Sequence, residues 1–271
     1  MDTYVAGGGG ASEAVRLEAL QSGLDANTIR YLNRLGVRAG DACLEIGAGG
    51  GSIACWMART VGPSGSVVAT DLDTDQFAAA AANHANLLVR TEDVAGGVAA
   101  HPDGRRFDIA HARLVIGHVR DHARAIGNIV RVVRPGGWIL VEDADFLWLG
   151  LDEQPLYPER CMPVYFRVWK AVATFLQLRG FDVNWGRRLA HAMADAGLSD
   201  VAGEAVAMIG SPQVTAAMRQ TIERFGPDVV RLQHLSSEDL SACLQALEAP
   251  GAIFTGSPLF SVWGRRRAEN A

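Results

Sequence analysis

The stretch Cys43-Leu44-Glu45-Ile46-Gly47-Ala48-Gly49-Gly50-Gly51-Ser52 decides the fold. An apolar run ends in an acidic residue, passes into a glycine loop and continues into a helical pattern. Glycines remove side chains where a ligand approaches the backbone. The helix that follows directs its free N–H groups and its positive dipole end at that ligand. The stretch therefore predicts a ligand-binding turn at the carboxyl end of a first parallel strand.

Acidic residues also end the next two predicted strands. The second strand, Ser66–Asp71, ends in Asp71, where a carboxylate can accept hydrogen bonds from both hydroxyls of an adenosine ribose. The third strand, residues 87–90, is followed by Glu92 and Asp93, and an acid there can meet the exocyclic amine of an adenine. In a doubly wound sheet the ligand lies along the carboxyl ends of the strands, so these acids and the glycine loop are predicted to share one site.

The composition favours a soluble globular protein. The chain has 271 residues, of which 49% are hydrophobic and 20% charged, enough to bury a sizeable core. Its net charge of −5 predicts no nucleic-acid partner and no anionic membrane surface. The sequence shows neither a membrane-spanning apolar stretch nor a signal peptide, so a cytoplasmic location is expected.

The cysteines carry no metal signal. Cys43, Cys55, Cys161 and Cys243 lack the spacing of metal ligands and fall in apolar segments, which predicts buried free thiols. No metal site is predicted.

Two helices are predicted ahead of the first strand, one from Ser12 and one over residues 25–35. Because they precede the strand that carries the ligand turn, they either lie across the ligand crevice or only pad the sheet. The sequence leaves both alternatives open.

The rest of the chain predicts four more strands, over residues 107–112, 138–143, 200–208 and 259–264. The strand at 138–143 is preceded by a sharp turn at Pro135-Gly136-Gly137. Pro227 and His234 are placed in the connection between two late helices. The predicted helices after the first strand cover residues 52–61, 75–82, 121–133, 163–178, 185–196, 213–225 and 237–247.

Four pieces of the chain occur in an order and spacing that resemble one family. They are Glu45–Gly51, Ala69-Thr70-Asp71-Leu72-Asp73, Phe107-Asp108-Ile109-Ala110-His111-Ala112-Arg113 and Val133-Arg134-Pro135-Gly136-Gly137. With them, residues 31–143 resemble the S-adenosylmethionine-dependent methyltransferases of the Rossmann-like class I. Within that family the chain resembles bacterial small-molecule methyltransferases, especially those of actinomycete natural-product pathways. Their N-termini often carry motifs similar to Tyr4-Val5-Ala6-Gly7 and Arg16-Leu17.

The resemblance implies an α/β fold with a doubly wound, mostly parallel seven-stranded sheet, an antiparallel last strand and helical cap insertions. Residues 1–37 would be a helical segment that covers the cofactor site, and residues 38–145 the cofactor-binding core. The remaining predicted segments are a cap insertion at 146–183, a core helix and sixth strand at 184–209, a second cap insertion at 210–254, and a closing strand with a basic tail at 255–271.

The resemblance also implies a site for S-adenosylmethionine, with S-adenosylhomocysteine as the product. Glu45 and the glycine loop would flank the methionine part, Asp71 would hold the ribose, and Leu72 would pack on the adenine. Asp93 would meet the adenine amine. The implied cofactor-binding residues are Tyr4, Arg16, Gln21, Glu45, Gly47, Ala48, Gly49, Gly51, Asp71, Leu72, Glu92, Asp93, Val94, Ala112 and Arg113.

Methyl transfer requires alignment of the nucleophile, methyl group and sulfur, and an acceptor that loses a proton benefits from a base. His118 is the predicted general base; the alternative is a histidine that packs at the start of the next helix and bonds a carbonyl. Among the other histidines, His111 is predicted to be structural and His191 to be at the surface. His234 is a weaker candidate base.

An apolar roof over the acceptor is predicted from the aromatic residues of the cap, although aromatics at helical spacing can also be plain core. Asp143 and its neighbours Glu142 and Asp145 either orient an acceptor or are solvated in a loop. The predicted substrate-binding residues are His118, Asp143, Phe146, Trp148, Tyr165, Phe166 and Trp169.

The predicted function is methyl transfer to an oxygen, nitrogen or carbon of an aromatic or fused-ring small molecule in secondary metabolism. A homodimer is the predicted assembly. A nicotinamide oxidoreductase is one alternative, because Gly49-Gly50-Gly51-Ser52-Ile53-Ala54 also fits the dinucleotide pattern. It does not account for Glu45 or for the turn before the fifth strand. A cofactor-binding scaffold without catalysis is the other alternative.

Overall fold

The computed structural model describes residues 11–147, 162–249 and 253–268. Its strands form one sheet in the order β3-β2-β1-β4-β5-β7-β6. The pairs among β1 to β5 are parallel, and β7 is antiparallel to both β5 and β6. The predicted sheet is therefore confirmed. The strands are β1 (Ala42–Ile46), β2 (Ser66–Asp71), β3 (Leu87–Thr91), β4 (Phe107–Arg113), β5 (Val133–Ala144), β6 (Leu198–Val206) and β7 (Leu259–Arg266).

The helices of the described ranges cover both faces and the carboxyl edge of this sheet. They are α1 (Ala11–Leu35), α2 (Ser52–Val61), α3 (Ala78–Ala81), α4 (His122–Val132), α5 (Met162–Leu178), α6 (Leu189–Asp195), α7 (Pro212–Arg231) and α8 (Ser237–Glu248). Short 3-10 turns occur at Thr74–Gln76, Ile116–His118 and Gly186–Arg188.

The central strands are apolar because helices cover both of their faces. On one face, alternate residues of β1 such as Leu44 pack with α4 and α6. On the other face, Cys43 of β1 packs with α2 and with Tyr31 of α1. This alternation decides which side chains at the strand ends share a face.

A separate apolar cluster joins α5, α7 and α8 above the carboxyl edge of the sheet. These helices come from the two predicted cap insertions, at 146–183 and 210–254. The two insertions thus contribute to one hydrophobic cluster, while the predicted segment boundaries themselves stay predictions.

The prediction of two N-terminal helices is wrong, since α1 is a single helix of 25 residues. Gly23 lies in its middle and faces α7, where a Cβ atom would come within 3.0 Å of Val214 Cγ2. Here glycine permits the close approach of two helices and does not end one.

The placement of Pro227 between two helices is also wrong, because α7 runs through it to Arg231. The adjacent Gly226 faces Leu240 of α8, and a Cβ there would lie 2.6 Å from Leu240 Cδ1. Packing against α1, α5 and α8 holds this segment helical despite the proline.

Residues Pro135-Gly136-Gly137 do not form a separate turn, because they lie inside β5 at an irregularity of its pairing with β4. Gly136 has φ of +75° there, a backbone conformation that favours glycine. Other boundaries shift as well. The helix predicted at 75–82 is a 3-10 turn followed by α3, the one at 185–196 begins with a 3-10 turn, and β6 starts and ends two residues earlier than predicted.

Within the described ranges, no helix is long and apolar enough to cross a membrane. Cys43, Cys55 and Cys243 are buried and free, and Cys161 lies outside those ranges. The described residues hold no group of three or more side chains that could ligate a metal ion.

Candidate active site

A cavity of about 520 Å³ lies at the carboxyl edge of the sheet, between the strand ends, α1 and the α5–α7–α8 cluster. This volume falls within the roughly 300–1,000 Å³ usual for ligand sites. Its position is the one expected for a ligand of a doubly wound sheet. The cavity is the candidate active site.

The glycine loop adopts the backbone that its sequence predicts. Three of its glycines have a positive φ, which other residue types rarely adopt: +66° at Gly47, +54° at Gly49 and +79° at Gly51. The end of β2 holds the loop, because Ala48 N–H donates to Thr70 O at 3.0 Å. Gly47 and Gly49 line the cavity, whereas Gly51 lies behind them at the start of α2.

Helix α1 covers this loop with its N-terminal half. A Cβ atom at Gly50 would come within 1.9 Å of Gln21 Nε2, and one at Gly49 within 3.2 Å of Leu17 Cδ2. The glycines therefore also make room for α1. The cavity-lining residues of this half are Arg16, Leu17, Leu20, Gln21 and Leu24.

The C-terminal half of α1 packs on the sheet. Tyr31 is fully buried, with its ring centroid 5.4 Å from that of Trp263 on β7. Its hydroxyl donates to Glu204 of β6 at 2.9 Å. The two alternatives for the N-terminal segment are thus both found, one in each half of the same helix.

The predicted acids line the cavity at the ends of β1, β2 and β3. Asp71 accepts hydrogen bonds from Gly49 N–H at 2.7 Å and from Asp73 N–H at 3.1 Å. A carboxylate has about four acceptor positions, so Asp71 keeps capacity for a ligand. Asp93 accepts from Ala95 N–H at 2.9 Å, which orders the loop after β3.

Glu45 belongs to a buried row of charged side chains. His111 Nδ1 lies 2.7 Å from Glu45 Oε2, and His111 Nε2 lies 3.1 Å from Glu142 Oε2. Burial acts to lower the pKa of His111, but the two carboxylates outweigh it and raise the pKa to about 9. The ring is therefore an imidazolium that donates to both acids.

The row continues to α1 and back to the cavity. Glu142 accepts hydrogen bonds from Thr28 Oγ1 and from Ser261 Oγ. Arg113, which lines the cavity, donates to Thr28 Oγ1 and to Asp25 Oδ1, both at 2.8 Å. Cavity, strand ends and α1 are thereby joined by one set of hydrogen bonds.

The predicted base, His118, ends the 3-10 turn after β4 and faces the cavity. Its ring centroid lies 4.4 Å from that of Phe181. Burial, reinforced by the charge of Arg16, lowers the pKa of His118 to about 3, so the imidazole is neutral at physiological pH. A neutral imidazole is the form that can accept a proton.

Asp143 does not line the cavity, although it was predicted to bind substrate. It is fully buried and accepts from Gly117 N–H at 2.9 Å and from Ala144 N–H at 3.2 Å. Burial raises the pKa of Asp143 to about 7. Its contact with Gly117 holds the turn that carries His118.

The alternative that the acids at the end of β5 are solvated in a loop is wrong. Glu142, Asp143 and Asp145 are all fully buried. Asp145 is paired with Arg187, whose Nη2 lies 3.0 Å from Asp145 Oδ1.

Only part of the predicted aromatic roof faces the cavity. Phe146 and Trp169 line it and pack edge to face, with ring centroids 5.4 Å apart. Tyr165 and Phe166 do not line it, and Tyr165 is fully buried within the cap. Ala112 likewise lies inside the sheet, whereas Tyr4 and Trp148 fall outside the described residues.

Sequence reasoning missed several cavity residues. The apolar residues among them come from the cap. Their spacing along the helices does not distinguish a residue that lines the cavity from one that packs in the core. The other three are arginines, two in connections and one in the first turn of α4. In the sequence, each of them is indistinguishable from an ordinary surface charge. The missed residues include Leu176, Phe181, Met218, Phe225, Arg120, Arg124 and Arg179.

Residues 18–202 match the sequence profile of a family described as "Methyltransferase domain". The chain belongs to the methyltransferase-domain family. The match covers more than half of the chain. The predicted S-adenosylmethionine-dependent class I methyltransferase is confirmed as family and fold, and the cofactor of this family is S-adenosylmethionine.

Known proteins resemble this methyltransferase domain in sequence and in fold. "Methyltransferase str2" of Strobilurus tenacellus is 30% identical over 145 residues, which are 53% of this chain and 50% of that protein. The [4+2]-cyclase SpnF has a TM-score of 0.57 at 18% identity, covering 92% of this chain and 84% of SpnF. Phosphoethanolamine N-methyltransferase 2 of Haemonchus contortus, solved with S-adenosylhomocysteine, has a TM-score of 0.57 at 16% identity, covering 93% and 57%. The chain spans about half or less of the length of the curated relatives it matches.

The cavity of the methyltransferase domain fits this cofactor by its chemistry. The molecule carries an ammonium group, a ribose diol and an adenine amine, all of which donate hydrogen bonds. The cavity presents carboxylates at three neighbouring strand ends, Glu45, Asp71 and Asp93. Carboxylates accept from such donors and attract the cationic ones.

Proposed function

We propose that this protein transfers a methyl group from S-adenosylmethionine to an oxygen, nitrogen or carbon atom of a small ring-bearing molecule, in secondary metabolism. The observation that carries the proposal is the division of one cavity into two chemically different sides. Carboxylates and the glycine loop form the sheet side, while Phe146, Trp169 and Phe225 belong to an apolar cap side.

On the sheet side, Glu45 and Gly47–Gly49 would hold the methionine part of the cofactor, and Asp71 its ribose. Leu72 and Asp93 would meet the adenine. Arg16 and Gln21 of α1 would cover the molecule from above, since Gln21 already rests on Gly50. When bound, S-adenosylmethionine supplies a methyl group activated by its sulfonium charge.

On the cap side, the protein would align the acceptor and exclude water. Phe181 packs on His118 and fixes its ring beside the cavity. His118 would accept the proton that the acceptor loses. Its low pKa makes it a weak base, so it serves an acceptor whose proton becomes acidic as the new bond forms.

Three arginines bear on the identity of the acceptor. Arg120, Arg124 and Arg179 line the cavity and lie before α4, in its first turn and after α5. Guanidinium groups favour carboxylates and phosphates. We therefore expect a ring-bearing acceptor with an anionic group to be preferred over its neutral counterpart.

The experiment is an incubation of the full chain with S-adenosylmethionine and paired acceptors, each ring compound in a neutral and a carboxylated form. Mass spectrometry would detect a gain of one methyl group together with S-adenosylhomocysteine. The enzyme hypothesis requires product above a heat-denatured control. Cofactor binding with no product from any ring compound would favour the scaffold alternative, for which the cyclase SpnF shows that the fold alone does not decide the reaction.

A cytoplasmic location and a homodimer stay predictions. A sedimentation experiment on the purified chain would measure the oligomeric state.

A further inference from the structure

The buried row Glu45–His111–Glu142 contains two residues that do not line the cavity, His111 and Glu142. All three side chains are almost completely buried. Ionisable groups are costly to bury unless they are paired and hydrogen-bonded. The alignment of methyl group and acceptor does not explain why these charged side chains are buried here, so the row must have another role.

The alternation of the strands puts the three side chains together. Glu45, His111 and Glu142 each follow an apolar residue of the same sheet face by two positions, at the ends of β1, β4 and β5. This is the face on which α1 packs. The row thus lies between the wall of the cavity and the face of α1 that packs on the sheet.

The bonding pattern sets the charges in the row. A ring that lies within 3.1 Å of a carboxylate oxygen on both nitrogens can donate to both only as an imidazolium. Burial raises the pKa of Glu45 above its ordinary value, and His111, followed by Arg113, acts against that rise. Loss of the imidazolium would leave two buried carboxylates facing each other without their shared counter-ion.

We infer that His111 is a positioning residue for the cofactor: it keeps Glu45 ionised and fixed at the cavity wall, where that carboxylate meets an ammonium group. The inference rests on the proposed placement of the methionine part beside Glu45. His111 itself touches neither cofactor nor acceptor and acts through Glu45.

The same row of buried side chains also binds α1, the helix that covers the site. Glu142 accepts from Thr28 of α1, and Thr28 also accepts from Arg113 at 2.8 Å. Arg113 reaches Asp25, which accepts from Ser52 Oγ at 3.1 Å at the start of α2. Ionisation of Glu45 and docking of α1 therefore depend on one network.

The charged and titratable groups that face His111 come from each neighbouring element. Glu45 on β1 and Glu142 on β5 contact its ring, and Arg113 on β4 lies near both acids. From α1, Asp25 reaches the network through Arg113. Glu45 and Arg113 both line the cavity. Arg113 stays charged at every relevant pH, so Glu45 is the group whose protonation would change the affinity for a ligand.

The test is a titration of S-adenosylhomocysteine into wild type and His111→Gln between about pH 6 and pH 8.5. Wild-type affinity should vary little over this range, because the imidazolium keeps Glu45 ionised. The variant should bind about tenfold more weakly at the acid end, the value of one charge-assisted hydrogen bond, and recover as pH rises and Glu45 ionises. Glutamine keeps the size of the ring approximately and removes the charge.

His101→Gln is the matched control. His101 is also buried and lies 2.6 Å from the carboxylate of Asp103, but it does not line or adjoin the cavity. This variant should retain wild-type affinity and its flat pH profile. If His111→Gln binds like His101→Gln at every pH, the inference is overturned. If wild type itself does not bind, the proposed cofactor placement fails instead.

A second measurement does not depend on the folding of any variant. In wild type labelled with ¹⁵N at histidine, the ring nitrogens of His111 should show the shifts of an imidazolium at neutral pH. A neutral His111 ring at pH 7 would overturn the inference by itself.

Discussion

Single side chains of the cavity were predicted best where the strand pattern fixes their position. Asp71 and Asp93 follow strands whose carboxyl ends must meet at one edge of the sheet, and both line the cavity. Asp143 was misplaced because its position next to the site says nothing about its direction; the strand alternation turns it inward onto Gly117. The pairing of His111 with Glu142 was not predicted, because it depends on which strands are neighbours.

At Asp71, we predict that Asp71→Asn weakens S-adenosylhomocysteine binding roughly tenfold to a hundredfold, since hydrogen bonds to charged acceptors contribute about 1.5–3 kcal/mol. Asparagine keeps an oxygen for Gly49 N–H, so the loop should stay in place. Calorimetric titration measures the affinity. Asp73→Asn is the control, because Asp73 caps the turn at Thr74–Gln76 and does not line the cavity. Equal affinities for the two variants would remove Asp71 from the site.

At His118, we predict that His118→Asn lowers kcat by up to about a hundredfold, the low end of what a general base contributes, because the low pKa of His118 makes it a weak base. The affinity for S-adenosylhomocysteine should change far less, because His118 faces the cap side. Steady-state kinetics with an accepted substrate and a separate binding titration distinguish the two effects. His122→Asn is the control, since His122 stacks on Trp185 outside the cavity. Wild-type kcat in His118→Asn would show that alignment alone carries the reaction.

The raised pKa of His111 also predicts how stability depends on pH. Its folded pKa of about 9 lies above the ordinary value of 6.5, so its contribution is complete below about pH 6.5 and is lost as pH rises through about 9. Urea unfolding should therefore show wild type losing stability between neutral and alkaline pH, and His111→Gln losing less. A difference between the two proteins that is the same at every pH would contradict this.

Whole elements were predicted reliably where apolar periodicity and a glycine turn agree, as in β1 and α2. They were misjudged where one residue type has two uses. Gly23 lies between the two helices predicted at the N-terminus and is a contact point between α1 and α7. Pro227 was placed in a connection between helices and lies within α7. In both places tertiary packing overrides local propensity, and packing partners are not visible along the chain.

For α1 as an element, we predict that Gly23→Leu lowers both stability and cofactor affinity. Its Cβ would already lie 3.0 Å from Val214 Cγ2, and overpacking of this kind costs about 1–3 kcal/mol. Because α1 covers the glycine loop, displacement from α7 should also weaken binding. Urea unfolding and a titration with S-adenosylhomocysteine measure the two effects. Ala26→Leu, on the exposed side of the same helix, should change neither.

At the scale of the whole molecule, the sheet order and the cap account for the site together. The family resemblance predicted the sheet, and the acids at its edge follow from the sheet order. The cap could not be predicted in the same way, because its helices α5, α7 and α8 come from separate parts of the chain and meet only through one apolar cluster. Spacing on each helix gave the same pattern for Trp169, which lines the cavity, and for Tyr165, which does not.

For the whole molecule, we predict that S-adenosylhomocysteine at a hundred times its Kd raises the free energy of unfolding by about 2.7 kcal/mol. The ligand binds only the folded state, in which strand ends, loop and α1 form one cavity. Thermal unfolding with increasing ligand measures the shift. Nicotinamide adenine dinucleotide at the same concentration should give no shift, and stabilisation by it alone would favour the oxidoreductase alternative.

The contacts of Gln21 and Leu17 with the glycine loop have a consequence for the exchange of the cofactor. The second half of α1 is fixed to the sheet through Tyr31 and Thr28, whereas its first half contacts the loop through Leu17 and Gln21. Every exchange of spent for fresh cofactor would then wait for that first half to separate from Gly49 and Gly50. We expect spent cofactor to leave the cavity only after this separation.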